Sequence, residues 1–158
     1  MVRVLLVCTG NTCRSPMAEA MLRERVRAGD LADKVVVLSA GLAAPGEYPP
    51  SPPALAAMKR RGLDLSAHRS RQLQPELVKA ADIILTMTAS HKRAVVAAAP
   101  EAVGKAYTLA EYAGENGDVA DPFGGSGAIY EACAAEMERL IDKIWQRIAQ
   151  LAGKSDQM

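Results

Sequence analysis

A chain of 158 residues with 49% hydrophobic and 23% charged side chains has the size and balance of one folded domain, not of a disordered tail or a membrane span. A net charge of +1 and a pI near 7.7 leave no electrostatic footprint for nucleic acid, and the short clusters Lys59-Arg60-Arg61 and Arg69-Ser70-Arg71 read as solvated surface, the second also placed to attract an anion. No run reaches the roughly 18 apolar residues of a membrane helix, Met1–Val7 lacks a signal-peptide pattern, and three cysteines form neither a disulfide framework nor a zinc spacing; the expectation is a cytoplasmic protein without membrane partner, metal or organic cofactor.

In chain order, Val4–Val7, Val35–Leu38 and Ile83–Leu85 are short aliphatic runs without polar alternation, as strands buried on both faces of a parallel sheet require, and Lys105–Tyr107 is a weaker fourth. Helical stretches lie between them: Pro16 to Ala28, Pro53 to Arg61 closed by Gly62, and Ala89 to Ala98 stopped by Pro100. Strands alternating with helices imply right-handed βαβ crossovers. Ile129, Cys133, Met137, Leu140, Ile141, Ile144, Ile148 and Leu151 recur at three- and four-residue steps, predicting a long last helix packed on the sheet, with Trp145 on or near that stripe. Gly41–Pro53 and Gly114–Gly127 read as long functional loops. The organisation expected is one domain over 1–152 and a frayed tail over 153–158, as a monomer.

The informative stretch is Cys8-Thr9-Gly10-Asn11-Thr12-Cys13-Arg14-Ser15-Pro16, between the first strand and the first helix. Ligands of open α/β sheets bind beyond the carboxyl ends of strands, where helix N-termini offer unpaired N–H groups to an anion. Gly10 and Asn11 tolerate positive φ, so the loop can curl its amides onto one centre; Ser15 can cap the helix or bond the Cys8 sulfur, and Pro16 suits the first helical position. Arg14, six positions after Cys8, can hold two phosphate oxygens bidentately. Cys8 lies under the same N–H groups and near that charge, conditions that favour a nucleophilic thiolate. A lone strand-end cysteine is more often plain packing; five residues, then Arg-Ser, make this spacing specific for a phosphate-type oxyanion. In the second loop, Asp121 before Pro122 is the candidate proton donor and Phe123 a wall shielding it, although an Asp-Pro among glycines is also an ordinary turn.

Val7-Cys8-Thr9-Gly10-Asn11-Thr12-Cys13-Arg14-Ser15-Pro16-Met17-Ala18-Glu19, Ser39-Ala40-Gly41, Ala81–Thr88 and Asp121-Pro122 together resemble the low-molecular-weight protein tyrosine phosphatase family, from Val4 to about Ile148. That resemblance implies a three-layer α/β sandwich with a four-stranded parallel sheet and the phosphate-binding loop after its first strand. It also implies Cys8 attacking phosphorus, Arg14 holding the phosphoryl group, and Asp121 protonating the leaving group and then activating water. The substrate-binding set is Thr9, Gly10, Asn11, Thr12, Cys13, Ser15 and Phe123, and the partners are phosphorylated proteins.

Two features resemble the bacterial protein arginine phosphatases within the family. Thr12 stands where tyrosine-specific members usually carry Ile or Leu, and Asp121-Pro122-Phe123-Gly124-Gly125-Ser126 stands where tyrosine or tryptophan more often follows the proline. A threonine hydroxyl can hydrogen-bond a guanidinium or orient water; filling a β-branched slot is its plainer role. Cys13 resembles the cysteine that in some members pairs reversibly with the nucleophile, with loop filling as the alternative. Tyrosine specificity with the same mechanism is the main alternative. A thioredoxin-coupled arsenate reductase needs cysteines that Ala80–Ala99 lacks and that Cys133 on a core-facing helix replaces poorly; a noncatalytic phosphoprotein-binding module has no need of both Cys8 and Asp121. His68 and His91 belong to no metal-ligand cluster and read as surface or packing residues.

Overall fold

The computed structural model describes residues 1–156, with only the helical backbone described for 154–156. Its elements run β1 (Val2–Cys8), α1 (Arg14–Ala28), β2 (Val35–Gly41), α2 (Pro52–Arg60), α3 (Pro75–Ala80), β3 (Ile83–Thr86), α4 (Ala89–Ala98), a 3₁₀ turn (Pro100–Gly104), β4 (Ala106–Thr108), α5 (Leu109–Tyr112) and α6 (Gly127–Asp156). The four strands form one all-parallel sheet in the order β2-β1-β3-β4. The chain passes from β1 to β2 on one side and returns through β3 on the other, so the loop after β1 lies at the topological switch point where open sheets bind ligands.

Successive side chains of β1 enter opposite cores. Val4, Leu6 and Cys8 join Met17, Leu22, Met58, Met137, Ile141 and Ile144 on one face, while Leu5 and Val7 join Val78, Ile84, Val95 and Ala102 on the other. Leu6 and Ile84 are fully buried, and removing one such side chain from water is worth about 1.5–3 kcal/mol. This double burial is why Val4–Val7 of β1 reads as an unbroken apolar run.

The buried stripe of α6 runs through Tyr130, Ala134, Met137, Ile141, Ile144, Ile148 and Ala152. Ile129 and Leu151, expected on it, are 51% and 38% exposed, because the helix turns them a position away from the line that faces the sheet. Trp145 packs at the edge against Gly29, where a Cβ would come within 2.6 Å of the indole. The helix continues through Gly153 to Asp156, so the expected frayed tail is helical there; Gln157 and Met158 lie outside the described residues. Among the described residues no helix is long and apolar enough to cross a membrane.

Candidate active site

The chain leaves β1 at Cys8 and enters α1 at Arg14, and five residues make the turn between them. Asn11 carries the left-handed conformation, φ 57°; Gly10, expected to share it, does not. The N-cap position is Cys13, which makes no side-chain cap bond; Ser15 and Pro16 are the second and third helical residues, correcting the expected cap by Ser15 and the expected first position for Pro16. A proline in that first turn still loses no helical bond, and the opening amides keep no side-chain acceptor, as an anion site requires.

Ser15 is instead turned under the loop. Its Oγ lies 2.8 Å from Cys8 Sγ and accepts a hydrogen bond from Asn11 Nδ2 at 2.8 Å. Asn11 also donates from its backbone N–H to Cys8 Sγ (3.3 Å) and from Nδ2 to Ser39 Oγ (2.9 Å), and accepts from the Arg71 N–H (3.0 Å); Ser39 in turn donates to Glu19. The fully buried Asn11 is thus tied to β1, α1, β2 and the segment before α3, which offsets the strain of its positive φ. Gly41 closes the arrangement, since a Cβ there would stand 2.6 Å from the Thr9 carbonyl oxygen, while Leu42 and Ala43 donate their N–H groups to the Cys8 and Thr9 carbonyls at 3.0 and 2.9 Å.

Arg14 is 4% exposed and donates through Nη1 to the Val119 carbonyl at 2.8 Å, fixing the loop that carries Asp121. Its Nη2 stands 3.8 Å from Asp121 Oδ2, whose side chain is 54% exposed and whose Oδ1 accepts from the Phe123 N–H at 3.1 Å. Residues 8–14, Asp121 and Phe123 line one cleft of about 250 Å³. Cavities of about 600 and 640 Å³ lie elsewhere and neither is lined by cysteine. Phe123 is 77% exposed, a lip on the cleft more than a cover for the acid. The exposed Tyr48 is not among the residues lining it.

Cys13 also bonds outside the loop: Sγ donates to Ser51 Oγ at 3.3 Å and lies 3.2 Å from Tyr130 Oη, and burial, followed by the bond to Cys13, raises the phenol above its ordinary value. Burial likewise pushes the Cys133 thiol up to about 11, so at neutral pH it is an inert thiol packed near the Ala120 carbonyl.

The two histidines are more than surface or packing residues. His68 Nε2 stands 2.8 Å from the Asn11 carbonyl oxygen, and His91, 8% exposed in the first turn of α4, places Nε2 2.9 Å from Thr9 Oγ1. The legible signal for His91 was its position: it opens the helix that follows β3, whose carboxyl end faces the same crevice. Nothing local marks His68, Tyr130 or Ser51, which reach the loop through long-range packing.

A Cys-x5-Arg-Ser loop at the switch point of an all-parallel sheet defines an α/β protein shaped to receive a tetrahedral oxyanion. The sequence pattern described as low molecular weight phosphotyrosine protein phosphatase matches residues 3–154, and the chain belongs to that family. It is 43% identical over 147 residues to a protein-arginine-phosphatase of Geobacillus stearothermophilus, covering 92% of this chain and 95% of that protein. It is 38% identical over 148 residues to the probable low molecular weight protein-tyrosine-phosphatase EpsP of Ralstonia solanacearum, covering 94% and 97%. A solved structure of a YwlE arginine phosphatase mutant, whose active-site serine is phosphorylated, superposes with a TM-score of 0.89 at 38% identity, covering 94% of this chain and 96% of that one.

Proposed function

We propose that this chain hydrolyses phosphoarginine in proteins through a cysteinyl-phosphate. The Cys8 thiolate attacks phosphorus while the P–N bond breaks; its electron pair leaves with the guanidine nitrogen, which takes a proton from Asp121. Water then attacks the S–P bond, giving its proton to Asp121, and phosphate leaves with the thiolate restored. Arg14 and the loop amides hold the phosphoryl oxygens through both displacements.

The observation that carries this reading is the convergence on Cys8 Sγ of the Ser15 hydroxyl (2.8 Å) and the Asn11 N–H (3.3 Å), in the one cleft that Arg14 and Asp121 also line. Donors aimed at sulfur stabilise a thiolate, whose charge makes each such bond stronger than the one a weakly accepting thiol offers. The phosphorylated active-site serine of the YwlE relative fits a side chain that accepts phosphate.

For arginine over tyrosine the supporting features are the half-buried Thr12, whose hydroxyl makes, among the described residues, only a 3.8 Å contact to Cys13 Sγ and so retains hydrogen-bonding capacity for a guanidinium, and the arginine phosphatase relative at 43% identity. Hydrolysis of phosphotyrosine by the same steps is the second reading, favoured by the tyrosine-phosphatase relative at 38%. The deciding experiment is the ratio of kcat/KM for phosphoarginine and phosphotyrosine in matched peptides, with Cys8→Ala as blank. A ratio favouring phosphoarginine that falls in Thr12→Ile supports the proposal; a tyrosine preference in the wild type leaves the mechanism and discards the substrate.

A further inference from the structure

We propose that His91 is a positioning residue of the phosphate loop: protonated on Nε2 alone, it donates to Thr9 Oγ1 and so turns the Thr9 hydroxyl proton into the cleft, as a donor to the bound phosphoryl group. The proposal deepens the phosphatase reading and shares its site.

The tautomer follows from the environment of Nδ1, which is buried and has no hydrogen-bond partner among the described residues. Orphaned buried N–H groups are rarer in folded proteins than under-satisfied acceptors, so a proton on Nδ1 is the less favourable arrangement. The single proton of the neutral ring therefore resides on Nε2, 2.9 Å from Thr9 Oγ1. A second proton would place an N–H at Nδ1 with nothing to receive it. Burial first, then the charge of Arg14, holds the imidazole below its ordinary value, against the opposing carboxylates of Asp118 and Asp121.

With an N–H pointed at its oxygen, the Thr9 hydroxyl cannot direct its own proton back at the ring. Thr9 is exposed and lines the cleft beside Cys8 and Arg14. Its carbonyl is already engaged by the Ala43 N–H at 2.9 Å, so the hydroxyl is the group it offers. The His91 backbone N–H donates to Thr88 Oγ1 at 3.0 Å, which anchors the ring's starting point in the first turn of α4. His91 touches no substrate itself and acts through Thr9.

The test uses the full chain. Nitrogen-15 spectra of the two histidines, assigned with a His68 variant, report the tautomer of His91. Affinity for inorganic phosphate and kcat/KM on 4-nitrophenyl phosphate are measured for Thr9→Val, His91→Leu, their double variant and His91→Gln, with melting temperatures alongside. Expected are the Nε2–H tautomer, losses of about tenfold or more in both quantities for each single variant, a double variant no worse than either, and substantial retention in His91→Gln, whose amide reaches the same point. An Nδ1–H tautomer, losses that multiply in the double variant, or His91→Gln as impaired as His91→Leu at equal stability would overturn the proposal. Should His91→Leu fail to fold, the spectrum and Thr9→Val decide. If the wild type bound phosphate with this pattern but hydrolysed nothing, the positioning role would stand and the phosphatase reading would fall.

Discussion

Asn11 Nδ2 donates to Ser15 Oγ, and Ser15 Oγ lies 2.8 Å from Cys8 Sγ. Because the serine oxygen is already receiving a proton, its own is free to point at sulfur, where a donor stabilises the thiolate. Ser15→Ala is expected to slow turnover by about 10- to 100-fold, the worth of one hydrogen bond to a charged group. Alkylation of Cys8 by iodoacetamide at a fixed neutral pH should slow in parallel. Unchanged rates in both assays would remove Ser15 from the account.

Asn11 combines a left-handed backbone with full burial and bonds to Ser15, Ser39 and Arg71. Asn11→Ala forfeits the side-chain bonds and keeps the strained φ, so it should lose about 2–4 kcal/mol of unfolding free energy in urea. Asn11→Gly relieves the backbone but not the lost bonds and should fall between alanine and wild type. Equal stability of the glycine and alanine variants would mean that the positive φ carries no cost here.

Asp121 is half-exposed, beside Arg14 and at the lip of the cleft. Asp121→Asn should therefore slow the first displacement most for basic leaving groups, which depart poorly without a proton. A series of aryl phosphates of graded basicity reads this as a steeper dependence in the variant. A uniform loss across the series would count against Asp121 as the acid.

Stability should respond to pH through His91. A base held below its ordinary value of 6.5 binds fewer protons in the folded than in the unfolded chain, so its contribution is present above 6.5 and is lost as pH falls through the folded value. Glu115, held at about 2 by Arg139 and then Lys143, contributes above its ordinary 4.5 and loses that contribution in a separate, more acid window. Urea midpoints should thus begin to fall just below pH 6.5, and His91→Gln should abolish that upper decline while leaving the acid one. A wild-type midpoint flat down to the carboxylate range would contradict the buried neutral imidazole.

The strands and the loop at their switch point are legible in the sequence because their determinants are local: an apolar run such as Val4–Val7 has no amphipathic alternative, and Cys8–Arg14 is contiguous. The ends of the α6 stripe are less so, since a shift of one residue, little more than a quarter-turn, exchanges Ile129 for Tyr130. The supports of the loop are not legible from periodicity at all. His68 meets Asn11 across 57 positions and Tyr130 meets Cys13 across 117, and each looks like an ordinary surface or packing residue until the sheet brings them together. The short α3 and α5 escape notice for another reason: six and four residues show too little period to separate from a turn, even with the Thr108–Glu111 capping box in place.

The central claim is that phosphate passes through sulfur. Wild-type protein mixed with excess phosphoarginine peptide, quenched within the first turnover and analysed as intact protein and as proteolytic fragments, tests it directly. The account predicts one added phosphoryl group, located on Cys8 in the fragment that also carries Arg14, and none in Cys8→Ala. Full turnover with Cys8 never phosphorylated, or phosphate trapped on another side chain, would contradict it.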